Sequence, residues 1–242
     1  MDKRIKTAVI LAAGYGSRLK KYTDGVPTGF VKVGGKPIII RSIEMLLSCG
    51  IERIILVTGY RRENYEALVE EYPMLEFCFN PRFIEDGSSW SLFLCRKQVA
   101  NDDFLLLESG LIYNKNALIE LLDCREPDVA LITDRTKKKR GFYALDNGDD
   151  ILSSVTKDKD LDLIKGELVG MYKLSSDFYH DFCADGFEHQ DLLKELDYRE
   201  YFWRMSLQIS SMYLLKSPYV KWYSLVYPVD VKYAEEHVVQ YC

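Results

Sequence analysis

Apolar positions come in blocks along the first half of the chain, and the blocks alternate in kind. "TAVILAA" (7–13) is an unbroken apolar run closed by glycine, the pattern of a strand buried on both faces. "PIIIRSIEMLLSCG" (37–50) opens on proline, keeps an apolar face and closes on glycine, which predicts a helix. "ERIILVTGY" (52–60) predicts a second strand, "RENYEALVEEY" (62–72) an amphipathic helix and "LEFCFN" (75–80) a third strand. "SSWSLFLCRKQVA" (88–100) predicts a helix with a serine cap, and "DFLLLES" (103–109) a fourth buried strand.

Strands joined through helices of that length imply right-handed crossovers and a parallel sheet. Ligands on such sheets bind at the carboxyl ends of the strands, so residues 12–19, 58–60, 80–91 and 108–113 are expected to line one cleft. The second half is less regular. "DVALITDR" (128–135) predicts a strand, "TKKKRG" (136–141) a basic turn, and 141–158 a hairpin turning at Asn147-Gly148. "GELVGMYKLS" (166–175) predicts a strand, 176–215 helical segments, and "VKWYSLVYPVD" (220–230) a last strand. With no repeat or linker, the pattern predicts one α/β domain over 1–242, a mixed, mainly parallel Rossmann-like sheet flanked by helices.

Composition narrows the function classes. The net charge of −5 speaks against non-specific nucleic-acid binding and leaves room for a small anionic ligand held by local donors. No apolar run approaches the ~18 residues of a membrane span. The six cysteines are scattered, with no C-x-x-C pair and no tight spacing with the three histidines, so a zinc site is not expected, and a reducing cytoplasm is.

Chemistry concentrates in "LAAGYGSRL" (11–19). The first strand is expected to end at Ala12-Ala13; Gly14 and Gly16 let the backbone turn and approach a ligand, and the loop N–H groups form an anion nest. Arg18 adds a fixed charge suited to phosphate oxygens. No G-K-[ST] follows, so this is not a Walker A loop, and the third glycine of a dinucleotide fingerprint is missing.

"ILAAGYGSRL", followed by P-x-G-F, "VGGKPII" and "ILVTGY", resembles the nucleotidyltransferases that join an NTP to a phosphorylated acceptor. Within that superfamily the chain is most similar to the small cytidylyltransferases for phosphocholine and 2-aminoethylphosphonate. The resemblance implies a nucleotide-diphospho-sugar transferase type of fold, with 1–135 as the nucleotide-binding half and 136–242 as a smaller acceptor and metal half. It implies that CTP and a small phosphorylated or phosphonate acceptor are the partners, with Mg²⁺ as cofactor and pyrophosphate released. Carried over, Leu11, Ala12, Ala13, Gly14, Gly16, Ser17 and Arg18 hold the nucleotide, together with Gly87 and Ser88. The oligomeric state stays open, a homodimer among the options.

Two positions depart from the resembled motifs. Thr28 stands where the family has a catalytic lysine, and removing a charged donor from a reacting phosphate typically costs about 10²–10³ in rate. Lys20, Lys21, Lys32 and Lys36 are the nearby candidates to replace it. Gly110 stands where relatives have a metal-binding aspartate. Glu108, two residues earlier and on the same side of an extended strand, is the candidate to take over. Asp230 in "YPVD" is the other expected metal ligand, unless it caps the following helix. For the acceptor, Ser88 and Ser89 at a helix start favour an anion, and Glu167 or Glu200 suits an amine. Trp90, Tyr113, Tyr172, Tyr201 and Trp203 could wall a quaternary ammonium or simply pack the core. Three readings follow: a cytidylyltransferase impaired at Thr28 and Gly110, a non-catalytic nucleotide-binding homologue, or a sugar-1-phosphate nucleotidyltransferase.

Overall fold

The structure, a computed structural model, describes residues 5–23, 25–134 and 141–242. The basic run at 136–140 therefore lies outside the described residues. In chain order the first half gives β1 (Thr7–Ala12), β2 (Lys32–Val33), β3 (Lys36–Pro37), α1 (Ile38–Ser48), β4 (Arg53–Thr58), α2 (Arg62–Glu66), β5 (Leu75–Phe79), α3 (Ser88–Leu94), α4 (Arg96–Val99), β6 (Phe104–Glu108), β7 (Leu111–Tyr113), α5 (Asn116–Asp123) and β8 (Val129–Thr133). The second half gives β9 (Tyr143–Asp146), β10 (Leu152–Thr156), β11 (Ile164–Leu174), α6 (Ser176–Glu188), α7 (Gln190–Glu195), α8 (Tyr198–Gln208), β12 (Tyr213–Lys216), β13 (Trp222–Ser224) and α9 (Pro228–His237).

The main sheet runs β10-β9-β11-β6-β1-β4-β5, with β8 and then β12 branching from β11. Strands β6, β1, β4 and β5 are mutually parallel, as the apolar blocks predict. The long strand β11, from the second half, runs antiparallel to β6, so the two halves share one sheet. Mixing arises because β11 is reached through a hairpin, β9–β10, instead of a helical crossover.

Alternation along the strands sorts the core. Val9, Leu106 and Tyr172 face a cluster with Phe178, Phe182, Tyr198 and Phe202 from α6 and α8. Ile10, Leu105, Leu107 and Met171 face the other side, against Ile39, Ile43 and Leu46 of α1 and Leu118 and Leu121 of α5. Helix α1 starts at Pro37 and buries Ile38, Ile39, Ser42, Ile43 and Leu46, one stripe of a 3.6-residue period.

Three expectations change. The helix expected over 62–72 is α2 followed by a 3-10 turn, Ala67–Glu70. The helical stretch expected over 176–215 ends at Gln208, and Tyr213–Lys216 instead adds parallel strand β12 to β8. The last strand is confined to Trp222–Ser224 and pairs outside the main sheet, with β7. Pro228 has no N–H to donate to a ladder and takes the first turn of α9.

Helix α3 meets the turn between α7 and α8 without a gap. A Cβ at Gly87 would stand 2.4 Å from Leu196 O and 2.9 Å from Lys194 O, both backbone atoms that cannot swing away. Gly87→Ala is therefore expected to cost about 1–3 kcal/mol through overpacking. Urea denaturation measures it, and an unshifted midpoint would show that the joint is loose.

Candidate nucleotide cleft

The parallel strands end on one edge, and the loops leaving that edge touch. Ser109 N–H donates to Leu11 O at 3.0 Å, Tyr60 N–H to Ala13 O at 3.0 Å, and Asn80 N–H to Thr58 O at 2.8 Å. Tyr15 sets its ring edge-on to Tyr60 at 4.3 Å, and Phe83 lies 6.4 Å beyond. The segments expected to share a cleft are thus brought together at the carboxyl edge.

Ala12 and Ala13 are buried where β1 ends, and Leu11 is half-buried. Gly14 is exposed, with open space where a side chain would stand. Gly16 has φ +65°, a backbone that L side chains rarely adopt, and a Cβ there would meet Thr28 Oγ1 at 2.2 Å. Ser17 and Arg18 open a 3-10 turn, Ser17–Thr23, and both are exposed. Among the described residues Arg18 makes no ion pair.

Thr28 begins a second 3-10 turn, Thr28–Phe30, behind this loop. Its side chain touches both neighbours of interest. The hydroxyl fills the space over Gly16, and the methyl would lie 3.4 Å from a Cβ at Gly110, in ordinary contact. Thr28 therefore sits between the two, its hydroxyl towards Gly16 of the loop and its methyl towards Gly110, the other departure from the resembled motifs. Nearby lysines do not visibly compensate. Lys36 pairs with Glu44 on α1, and Lys32 is exposed on β2. The side chains of Lys20 and Lys21 lie outside the described residues.

The expected metal set does not assemble. The chain turns at Ser109-Gly110, so Glu108 and Gly110 face different neighbours, contrary to the extended-strand expectation. Glu108 Oε1 accepts from Tyr198 Oη at 3.1 Å and from Arg199 Nη2. Burial would lower the pKa of Arg199, but Glu108, Tyr198 and Asp197 raise it well above its usual range, so the guanidinium stays charged. Asp230 is the helix cap: its Oδ2 accepts from Tyr227 N–H at 2.7 Å and Val226 N–H at 2.9 Å, and the residue is buried. The backbone against Gly110 is that of Leu225, whose N–H donates to Gly110 O at 2.8 Å. Among the described residues no group of three His, Cys, Asp or Glu side chains could hold a metal ion. Glu108, Gly110 and Asp230 do not fit Mg²⁺, which wants hard oxygen ligands free to converge.

The acceptor candidates scatter as well. At the start of helix α3, Gly87 N–H donates to Lys194 O and Ser89 N–H to Leu196 O, so these two donors are taken up within the chain. Ser88 Oγ donates to Asp197 Oδ2 at 3.0 Å, and Ser89 Oγ to Leu196 O at 3.0 Å. Gly87, Ser88 and Ser89 are thus a structural joint. Tyr113, Tyr172 and Tyr201 are fully buried core residues. Trp203 Nε1 donates to Ser153 O at 2.7 Å, and Trp90 stacks on Phe93 with centroids 5.3 Å apart. Glu200 closes the capping box of α8 and pairs with Lys157 at 3.0 Å. Glu167 is buried in β11, opposite Thr133 and Tyr143. What the sequence did not reveal is Arg199, a buried arginine whose partners are 91 residues away and next door, at Glu108 and Asp197.

Residues 8–160 match the MobA-like NTP transferase domain, well over half of the chain. The chain belongs to this NTP transferase family. Curated relatives include the choline-phosphate cytidylyltransferase of Streptococcus pneumoniae, 36% identical over 107 residues, 44% of this chain and 46% of the relative. The bifunctional protein GlmU of Methanococcus maripaludis is 29% identical over 173 residues, 71% of this chain and 41% of the relative. The 2-aminoethylphosphonate cytidylyltransferase of Lancefieldella rimae is 28% identical over 113 residues, 47% and 46% of the two chains. The chain thus spans less than half the length of these relatives. Among solved structures, the inositol-1-phosphate CTP transferase of T. maritima superposes with a TM-score of 0.81 at 17% identity over 98% of both chains. The CTP:phosphocholine cytidylyltransferase of Streptococcus pneumoniae superposes at 0.75 and 22%, over 96% of this chain and 98% of that one. At such identities the likeness establishes the nucleotidyltransferase fold. No helix among the described residues is long and apolar enough to cross a membrane.

Behind the cleft, the Tyr223 phenol is raised to about 12 by burial first, then by Asp230, Tyr233 and Glu167. An unfolded tyrosine ionises near 10, so stability is full below that pH and falls as the unfolded state loses its proton first, between about 10 and 12. Alkaline titration should show tyrosinate absorbance rising together with loss of the helical circular dichroism. Tyr223→Phe should shift that transition to higher pH; tyrosinate of this residue forming near 10 in an intact fold would contradict the assignment.

Proposed function

We propose that this NTP transferase homologue binds CTP at the loop following β1, and that its transfer of CMP to a small phosphorylated or phosphonate acceptor is slowed by orders of magnitude. One observation carries the reading. The turn after β1 keeps Gly16 at φ +65° with the Thr28 hydroxyl packed over it, while Thr28 and Gly110, which adjoin beside it, supply no charge. In a phosphoryl-transfer site positioning and charge neutralisation carry nearly the whole rate, because the acceptor oxygen is already a nucleophile. Gly14 and Gly16 support the positioning, and Arg18 is an exposed cation of the loop. The cytidylyltransferase relatives, and the acceptors their names state, favour CTP and an acceptor of the choline-phosphate or 2-aminoethylphosphonate kind.

The reading has a structural corollary. A Cβ at position 110 would meet the Thr28 methyl at 3.4 Å and Leu225 O at 3.5 Å, ordinary contacts that leave room for a side chain to start there. A lysine at position 28 would place its ammonium beside a carboxylate at position 110, which makes the two changes natural partners. Calorimetry with CTP should detect binding with little dependence on Mg²⁺, since Glu108 and Asp230 are committed elsewhere. Pyrophosphate release with CTP and an acceptor panel should be near background for the natural chain. Thr28→Lys together with Gly110→Asp should raise it by about 10²–10³. Absence of CTP binding would sink the whole reading; binding without any gain in the double variant would overturn the role given to these two positions.

A further inference from the structure

We propose that Tyr65 is a positioning residue for the nucleotide cleft: its hydroxyl, reaching in from α2, sets the placement of Thr28 over the turn after β1. This rests on the cleft proposed above and names a residue outside it on which its shape depends.

Tyr65 is fully buried, in the apolar cluster that holds Ala12, Ile39, Leu56 and Leu107. A phenylalanine would fill the same space, and a hydroxyl in such a place is costly unless its hydrogen bonds are made. Here they are made to the neighbours of the two departures from the resembled motifs. The Tyr65 oxygen accepts from Gly29 N–H at 3.3 Å, one residue after Thr28. It is also hydrogen-bonded to the Ser109 side chain, one residue before Gly110. Burial holds the phenol well above its usual titration range, so it keeps the proton that such a bridge uses.

The joint is close-fitting. A Cβ at Gly29 would stand 2.8 Å from the Tyr65 oxygen and 3.1 Å from Ile39 Cβ, so a side chain there would push the turn off the phenol. Phe30 sets its ring edge-on to Tyr65 at 5.2 Å. From this seat Thr28 fills the space over Gly16 with its hydroxyl and turns its methyl towards Gly110. Without the Tyr65 hydroxyl, Gly29 N–H is a buried donor that lacks its acceptor. The turn recovers one only by moving, which takes Thr28 off Gly16.

The backbone delivers Tyr65 to this place. Arg61 takes φ +50°, a left-handed conformation uncommon for a residue other than glycine, and α2 starts directly after it. Tyr60, just before, donates its N–H to Ala13 O at 3.0 Å. The start of α2 is thus tied to the end of β1, on the same edge as the turn that Tyr65 supports.

A double-mutant cycle tests this, read by calorimetry with CTP on the full chain at a temperature where circular dichroism shows every variant folded. Tyr65→Phe should weaken CTP binding about tenfold. Thr28→Ala should weaken it as well, and adding Tyr65→Phe to Thr28→Ala should cost little more, because the side chain being positioned is gone. A purely structural tyrosine would lower the urea midpoint and leave CTP affinity unchanged, and that result overturns the inference. So do losses that simply add, or a Thr28→Ala chain that binds CTP like the natural one. In the natural chain the Gly29 amide should exchange with deuterium more slowly once CTP is bound, since CTP holds the joint closed. That measurement stands even if Tyr65→Phe does not fold, and an exchange rate indifferent to bound CTP overturns the inference. If the natural chain binds no CTP, the cleft reading fails and the role of Tyr65 falls with it; if it binds CTP and Tyr65→Phe binds equally well, only the role of Tyr65 fails.

Discussion

Strand β1 is hydrogen-bonded along its length on both sides, to β4 and to β6, and all three run the same way. This shared direction is the constraint from which the site follows. Three strands that end together must release three loops at one edge, and the backbone donors those loops leave over are satisfied by neighbouring carbonyls. Ser109 N–H reaches back to Leu11 O and Tyr60 N–H to Ala13 O, so the end of β1 is anchored from both flanks. A flexible loop would spend binding energy on ordering itself; this one leaves the sheet with its direction already set. The left-handed turn at Gly16 then brings it down onto Thr28.

A second constraint comes from burying charge. Arg199 is almost fully enclosed, and an isolated guanidinium there would be prohibitively costly to desolvate. It is retained because two acids approach from different directions, Glu108 from the sheet and Asp197 from the start of its own helix. Phe142 and Tyr198 cover its plane at 4.5 and 4.6 Å. The carboxyl end of the central sheet is thereby fastened to the lobe made by the second half of the chain, and removing either acid would strand a buried cation.

The parallel core was legible in the sequence because its signal is local: continuous apolar runs bounded by glycine leave little choice but strands buried on both faces. The turn after β1 was legible for the same reason, since "AAGYGSR" states its glycines within seven residues. Long-range features were not. Strand β12 reads as part of a helical stretch because "MYLLKS" has no alternation, and only pairing with β8 makes it a strand. The serines at 88 and 89 have the composition of an anion site, yet their hydroxyls and the Ser89 N–H are taken by a turn more than 100 residues away. Glu108 and Gly110 look equivalent on paper; a single tight turn between them sends one side chain position towards α8 and the other towards Thr28.

The closed joint at the start of α3 has a mechanical consequence. With the carbonyls of Lys194 and Leu196 seated on Gly87 and Ser89, and Ser88 clasped by Asp197, the helices α3, α7 and α8 behave as one block. That block is tied to the sheet at Glu108 through Arg199. A displacement of any one of these helices therefore carries the other two with it and pulls on the end of β6.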